Sequence, residues 1–170
     1  LLRSVGIEPR VVSPDIDESV LEGELPVDYV RRLASAKLDA VMKTVGAVNV
    51  GAIVIAADTT VELNGEIFGQ PRDLDEARLM IQKLSGNTHS VLTAVSVRWD
   101  GLSANGFDES KVTMREVTSE LLEWYLATGE SMGKAGAYAV QGQGAALTAD
   151  VRGELDTVIG LPVRLLETLL

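Results

Sequence analysis

Apolar positions along the chain repeat with two periods, and the change between them marks the elements. Val27, Val30, Ala34, Leu38, Val41 and Val45 form one helical stripe, opened by Pro26-Val27-Asp28-Tyr29, where Pro26 suits a first turn. Lys37 lies on the flank of that stripe, away from the solvated side. A second helix is predicted over Asp75 to Leu84, with Ala77, Met80, Ile81 and Leu84 on one side. A third is predicted over Glu120 to Thr128, capped by Ser119 and ended by Gly129. Leu1 to Gly6 reads as the last turns of a helix ending at a glycine cap, and Val163 to Leu170 as a final helix entered through Val158-Ile159-Gly160-Leu161-Pro162.

Between these lie strands. Ala52 to Ala57 is an unbroken run of small and branched apolar residues, the pattern of a strand buried on both faces. It stops at Asp58-Thr59-Thr60, and Asn64-Gly65 then supplies a two-residue hairpin turn. Gly46 and Gly51 close the segment before this strand. His89 to Trp99 alternates as a half-buried strand, Asp100-Gly101 signals a second hairpin, and Gly106 to Glu116 is the return strand. Ile7 to Ser13 reads as a short edge strand because Pro9 lies within it, and Ala145 to Ala149 as another short strand. Helices and strands are interleaved but include hairpins. The expectation is therefore an α/β fold with a mixed β-sheet flanked by helices, in a single domain over residues 1–170.

Composition narrows the chemistry. The core of this 170-residue chain must be aliphatic, since hydrophobic residues make up 46% and aromatics only 4%. A net charge of -10 argues against long nucleic acid, which needs a basic face, but not against a small phosphorylated ligand neutralised by a divalent cation. The absence of Cys removes disulfides and thiolate catalysis, and the single His89 cannot form a histidine metal cluster. No apolar run would span a bilayer, and no signal peptide is evident, so a cytoplasmic protein is the default expectation.

Several residues stand out against this background. Asp58 is a carboxylate where a buried strand is expected to leave the core, a position at which open α/β sheets place ligands; it could equally cap a turn. Asp15-Ile16-Asp17-Glu18 is an acidic loop. The stretch from Gly133 to Gly144 is rich in Gly and Ala with Lys134 and Gln141, and serves either close approach of backbone to a ligand or a tightly packed bend. It matches neither a Walker loop nor a dinucleotide fingerprint. His89 has no carboxylate partner evident in sequence, Ser85 and Thr88 suit a helix-to-strand turn, and Trp99, Trp124 and Tyr125 fit packing better than base stacking.

Taken together and in order, Asp15-Ile16-Asp17-Glu18, Arg32-Leu33-Ala34-x-x-Lys37, Ala57-Asp58-Thr59, Ser85-Gly86-x-Thr88-His89, Lys134-Ala135-Gly136-x-Tyr138-x-x-Gln141-Gly142 and Val158-Ile159-Gly160-Leu161-Pro162 resemble the Maf family of nucleoside triphosphate pyrophosphatases. The likeness covers nearly the whole chain. It implies two lobes with a central cleft and cleavage of a nucleotide between its α and β phosphates. It also implies a divalent metal, Mg2+ or Mn2+, and a homodimer. By the same resemblance Asp58 is the catalytic acid or base, or a metal ligand; Glu18 is its metal or water partner; and Lys37 and Lys134 meet phosphate oxygens. Without the resemblance those two lysines would read as surface residues snorkelling from helix and loop. Thr59 and Gln141 match the branch that favours dTTP and UTP.

The chain also departs from the family pattern. Gln70-Pro71 stands where the family has Lys-Pro, with Arg72 nearby either replacing the lost cation or, as turn arginines more often are, solvated, and Gly133 stands where it has Asp. The chain opens at Leu1-Leu2-Arg3, so the family's Ser-x-Ser-Pro-Arg-Arg segment is expected to precede Leu1 in an N-terminally truncated domain. These departures support an alternative, a nucleotide-binding or regulatory protein with weak or lost turnover.

Overall fold

The computed structural model describes residues 1–45 and 51–170. Its centre is a five-stranded sheet in the order β2-β1-β3-β4-β5. The strands are β1 (Val54–Leu63), β2 (Glu66–Phe68), β3 (Thr88–Trp99), β4 (Leu102–Met114) and β5 (Thr148–Arg152). The helices are α1 (Pro26–Val45), α2 (Leu74–Leu84), α3 (Ser119–Ala127), α4 (Leu155–Ile159) and α5 (Val163–Leu169). The sheet flanked by helices is the expected α/β arrangement.

All four pairings are antiparallel, where the interleaving suggested parallel ones as well. The reason lies in β1. The connection through α2 joins β2 to β3, two strands that run in the same direction, but β1 lies between them and pairs antiparallel with both.

The two hairpins fall at Asn64-Gly65 and Asp100-Gly101, with positive φ at both residues of each turn, as the primed turns require. Asp73 caps α2, its carboxylate accepting from the Glu76 N–H at 2.8 Å. Other boundaries move. Thr118, not Ser119, caps α3, accepting from the Leu121 N–H. Residues 142–147 form 3-10 turns, which delays the short strand expected at Ala145 to Ala149 until Thr148. The segment expected as an edge strand, Ile7 to Ser13, carries no regular structure. Pro9 cannot donate to a ladder, and this segment pairs with no strand among the described residues. Gly46, expected with Gly51 to close the segment before β1, lies outside the described residues.

Three apolar clusters cover the sheet. Val30 and Ala34 of α1 pack on Leu92 and Ala94 of β3, covering one face. The other face is divided. Val61 and Val91 join Ala77, Ile81 and Leu84 of α2 and Leu122, Tyr125 and Leu126 of α3, whereas Val95 and Val97 join Leu166 of α5. Val91 and Val95, on one face of β3 with Thr93 between them, thus belong to separate clusters.

This arrangement reverses two expectations about burial. β3 is buried along nearly its whole length on both faces, because α1 covers one and the two clusters cover the other. β1, expected to be buried on both faces, is mostly half-buried. It pairs with β2 only over Val61–Leu63, so the edge of residues 54–60 has no partner strand among the described residues.

Candidate active site

A cleft of about 400 Å³ opens along that free edge of β1. Ala57, Asp58 and Thr59 line it from the strand, Lys37 from α1, Lys134 and Gln141 from the facing loop, and Ile159 and Gly160 from the end of α4. Asp58 is not at a strand end, as expected, but in the middle of a ten-residue strand. The polar residues after Ala57 continue the strand because each finds a partner: Lys37 for Asp58, Thr93 for Thr59 and the Phe68 carbonyl for Thr60. Since β2 is short, a mid-strand carboxylate still borders open space.

Strand alternation decides what each side chain meets. Asp58 stands opposite Ala94, on the face that α1 covers. Lys37, seven residues after Val30 and three after Ala34, projects from the buried side of α1 toward it. The Lys37 Nζ donates to Asp58 Oδ1 at 2.5 Å and lies 2.8 Å from Glu18 Oε1. Asp58 is almost wholly buried, Lys37 largely so, and Glu18 is 42% exposed. One amine thus gathers two carboxylates from loop and strand.

The charges have identifiable causes. Burial is the largest influence on Asp58 and raises its pKa above the ordinary Asp value, against the opposing pull of Lys37. Burial also works against the Lys37 ammonium, but hydrogen bonds to Asp58 and Glu18 outweigh it and raise the pKa. Lys37 therefore stays charged, and Asp58 holds a proton more readily than an exposed carboxylate does.

Tyr29 brings the acidic loop to this position. Its hydroxyl donates to the Glu18 carbonyl at 2.9 Å, and burial, with Asp58 and Glu18 nearby, pushes its pKa up to about 12. Arg32 reinforces the same loop by donating to both oxygens of Glu24 and to the Ser19 carbonyl, and its guanidinium lies 5.5 Å from the Tyr29 ring centroid. Sequence reasoning missed Tyr29. The available signal was its spacing of three residues from Arg32, which puts both on one side of α1.

Thr59 faces the opposite side of the strand. Its hydroxyl lies 2.9 Å from that of Thr93, which donates in turn to the Thr157 carbonyl at 2.6 Å and so ties β1 to the start of α4. Lys134 and Gln141 line the cleft from the Gly- and Ala-rich loop, both exposed. That loop is seated by Gly136, whose N–H donates to the Gly69 carbonyl at 3.0 Å. A Cβ there would meet Val61 Cγ2 at 3.0 Å, and φ is +68°, so the packed-bend reading holds at Gly136.

Other sequence candidates lie elsewhere. His89 is buried, with Nε2 2.6 Å from the Tyr138 hydroxyl, and burial lowers its pKa to about 4, so it is neutral at physiological pH. The Ser85 hydroxyl accepts from the Val117 N–H, and Thr88 pairs with Thr113, which fixes the turn between α2 and β3. Trp124 is 45% exposed, so it does not pack as expected. Gln70 lines the cleft, while Arg72 pairs with Glu76 outside it and does not replace the missing cation. Among the described residues no group of three or more His, Asp or Glu side chains converges as a metal site, and no helix is long and apolar enough to cross a membrane.

A helix-flanked antiparallel sheet whose free strand edge borders a cleft with a buried Asp58–Lys37 pair defines the class of structure. The chain belongs to the Maf family, whose profile (Maf-like protein) matches residues 1–170. It is 46% identical over 168 residues to a dTTP/UTP pyrophosphatase of Anaeromyxobacter dehalogenans, spanning 96% of this chain and 82% of that protein. Proteins of the same description from Myxococcus xanthus and Symbiobacterium thermophilum are 42% identical over 168 residues and 41% over 163; each alignment spans 96% of this chain, and 81% and 82% of the relative.

Proposed function

We propose that this chain hydrolyses nucleoside triphosphates to the nucleoside monophosphate and pyrophosphate, with dTTP and UTP preferred. The observation that carries this reading is the Lys37–Asp58 pair on one wall of a cleft, with Glu18 bound to Lys37 and with Lys134 and Gln141 on the facing loop, in a chain similar to dTTP/UTP pyrophosphatases. The retained carboxylates and lysines favour turnover over a purely regulatory role.

In the reaction a water oxygen bonds to the α phosphorus, the bridging P–O bond to the β phosphate breaks, and pyrophosphate leaves with the electron pair. Asp58, with its raised proton affinity, accepts the proton of the attacking water. Lys37 holds Asp58 and Glu18 in register, and Lys134 offers a point charge to the phosphate chain from the opposite wall. Gln141 meets the pyrimidine ring, since an amide both donates and accepts, and Thr59 supports the wall beside the sugar.

The donor set suits a hard divalent cation. Magnesium typically binds one or two carboxylates together with substrate phosphates, and a cation here would share Glu18 and Asp58 with the Lys37 ammonium. Glu18 would hold Mg2+ or Mn2+, joined by Asp58 in the alternative where Asp58 is a ligand rather than the base, and the cation would neutralise phosphate charge. The same reading takes the protein as a cytoplasmic homodimer acting on free nucleotides, and sedimentation velocity tests the dimer.

Hydrolysis of dTTP and UTP in 18O-labelled water with Mg2+ tests the reaction. The label should appear in the monophosphate, with pyrophosphate unlabelled. Release of orthophosphate, or label in pyrophosphate, would refute attack at the α phosphorus.

A further inference from the structure

The loop bearing Gln141 is held from outside the cleft. Gln141 occupies the N-cap position of the 3-10 turn Gly142–Leu147, with extended backbone (φ -109°, ψ 170°), yet its side chain makes no capping bond. The side chain of Ser, Thr, Asp or Asn at an N-cap turns back on the first amides of its own helix, and Gln141 is none of these, so the amides need another acceptor. Here Glu130, thirteen residues from Gln143, takes them instead. Its Oε1 accepts from the Gln143 N–H and its Oε2 from the Gly144 N–H, both at 3.1 Å. The Gln141 amide is thereby left to the cleft that it lines.

The anchorage of Glu130 is itself built. Its N–H donates to the Thr128 hydroxyl, which donates to the Tyr125 carbonyl at the end of α3. The buried Tyr125 hydroxyl accepts the Ala139 N–H at 3.3 Å. The end of α3 therefore grips the loop on both sides of Gln141. Gly142 completes the fit: a Cβ there would lie 2.7 Å from Glu130 Oε1, with φ at +64°. The carboxylate rests against the bare Cα of the residue next to Gln141.

We infer that Glu130 is a positioning residue for nucleobase selection: it takes over the capping of the 142–147 turn so that the Gln141 amide faces the pyrimidine ring. The inference rests on the proposed function, in which Gln141 meets the base. Glu130 is not among the residues lining the cleft and acts only through the loop. Glu130→Gln keeps size and shape but presents an amide N–H to one backbone N–H, so one of the two anchors is lost.

The experiment measures kcat and KM for UTP, CTP and GTP with Mg2+ on the wild type, Glu130→Gln, Gln141→Ala and the double variant, with melting temperatures beside them. Glu130→Gln should raise KM for UTP roughly tenfold, change kcat by less than about threefold, and narrow the discrimination against CTP and GTP to that of Gln141→Ala. The double variant should then resemble Gln141→Ala alone. Gly142→Ala, which pushes on the same carboxylate, should reproduce the loss of discrimination and carries the test if Glu130→Gln melts early. Unchanged KM and discrimination in Glu130→Gln would overturn the inference. So would a loss that adds in full to that of Gln141→Ala, or a Gln141→Ala variant that discriminates as the wild type does. Failure of the proposed function would appear differently, as absent pyrophosphate release by the wild type, and would take this inference with it.

Discussion

Replacing Asp58 by Asn should separate catalysis from stability. The substitution removes the proton acceptor and the only nearly buried carboxylate on Lys37, while preserving side-chain shape. Losing a positioned base or metal ligand should raise the barrier by about 3 kcal/mol or more, a hundredfold or greater fall in rate. Stability should respond in the opposite sense. Burial raises the folded-state pKa of Asp58 above its unfolded value, so protonation is favoured by folding. The stability from this group is therefore fully present below the unfolded pKa and is lost as pH rises through the folded one. At pH 7 the ionised carboxylate is a net cost, and a neutral amide relieves it. Lys37 keeps Glu18 as a partner, so no unpaired charge remains. The change in folding free energy should lie within about 1 kcal/mol of zero or be slightly stabilising. Pyrophosphate release from dTTP with Mg2+ and urea unfolding at pH 7 measure the two effects. Turnover within a few fold of wild type would remove Asp58 from the chemistry. A loss of several kcal/mol in stability would show that the Asp58–Lys37 pair is a structural staple.

Lys37→Met should destabilise the protein by roughly 2–3 kcal/mol at pH 7, because it leaves Asp58 buried without its counter-ion; urea midpoints check this, and a change below about 0.5 kcal/mol would contradict it. Gln70→Lys should return a cation to the cleft and lower KM for dTTP about tenfold, as read by initial rates. His89, with a folded pKa of about 4 against 6.5, contributes stability that is fully present above pH 6.5 and lost as pH falls toward 4. Its share is about 3 kcal/mol, so His89→Gln should flatten the acid side of the stability profile in urea titrations between pH 7 and 4.5.

Local pattern located α1, α2, both hairpins and the long strands because each is encoded by neighbours: a stripe, a cap, a turn pair. It singled out Asp58, although on the assumption of a strand end that does not exist; Lys37 and Glu18 were picked out only by the family resemblance. What sequence could not supply was the length of the neighbouring strand. The three-residue β2 exposes the edge of β1, and so turns a mid-strand residue into a cleft residue.

The same limitation explains the inverted burial of the two long strands. Ser90 and Ser96 of β3 fall on the face expected to be solvated and Thr93 on the face expected to be buried, yet each is satisfied by a residue far along the chain. Lys111 donates to Ser90, Ser35 meets Ser96, and Thr93 donates to the Thr157 carbonyl. A buried hydroxyl costs little once bonded, and that partner is a fact of topology rather than of period. The apolar run of β1, by contrast, looked doubly covered but borders the cleft, where a nucleotide rather than a helix would supply the missing contact. Polarity along a strand thus predicts what its neighbours must offer, not whether they are protein. In this chain the mismatch falls at the residues proposed to do the chemistry, which is where a sequence shaped for a ligand should depart from one shaped only to fold.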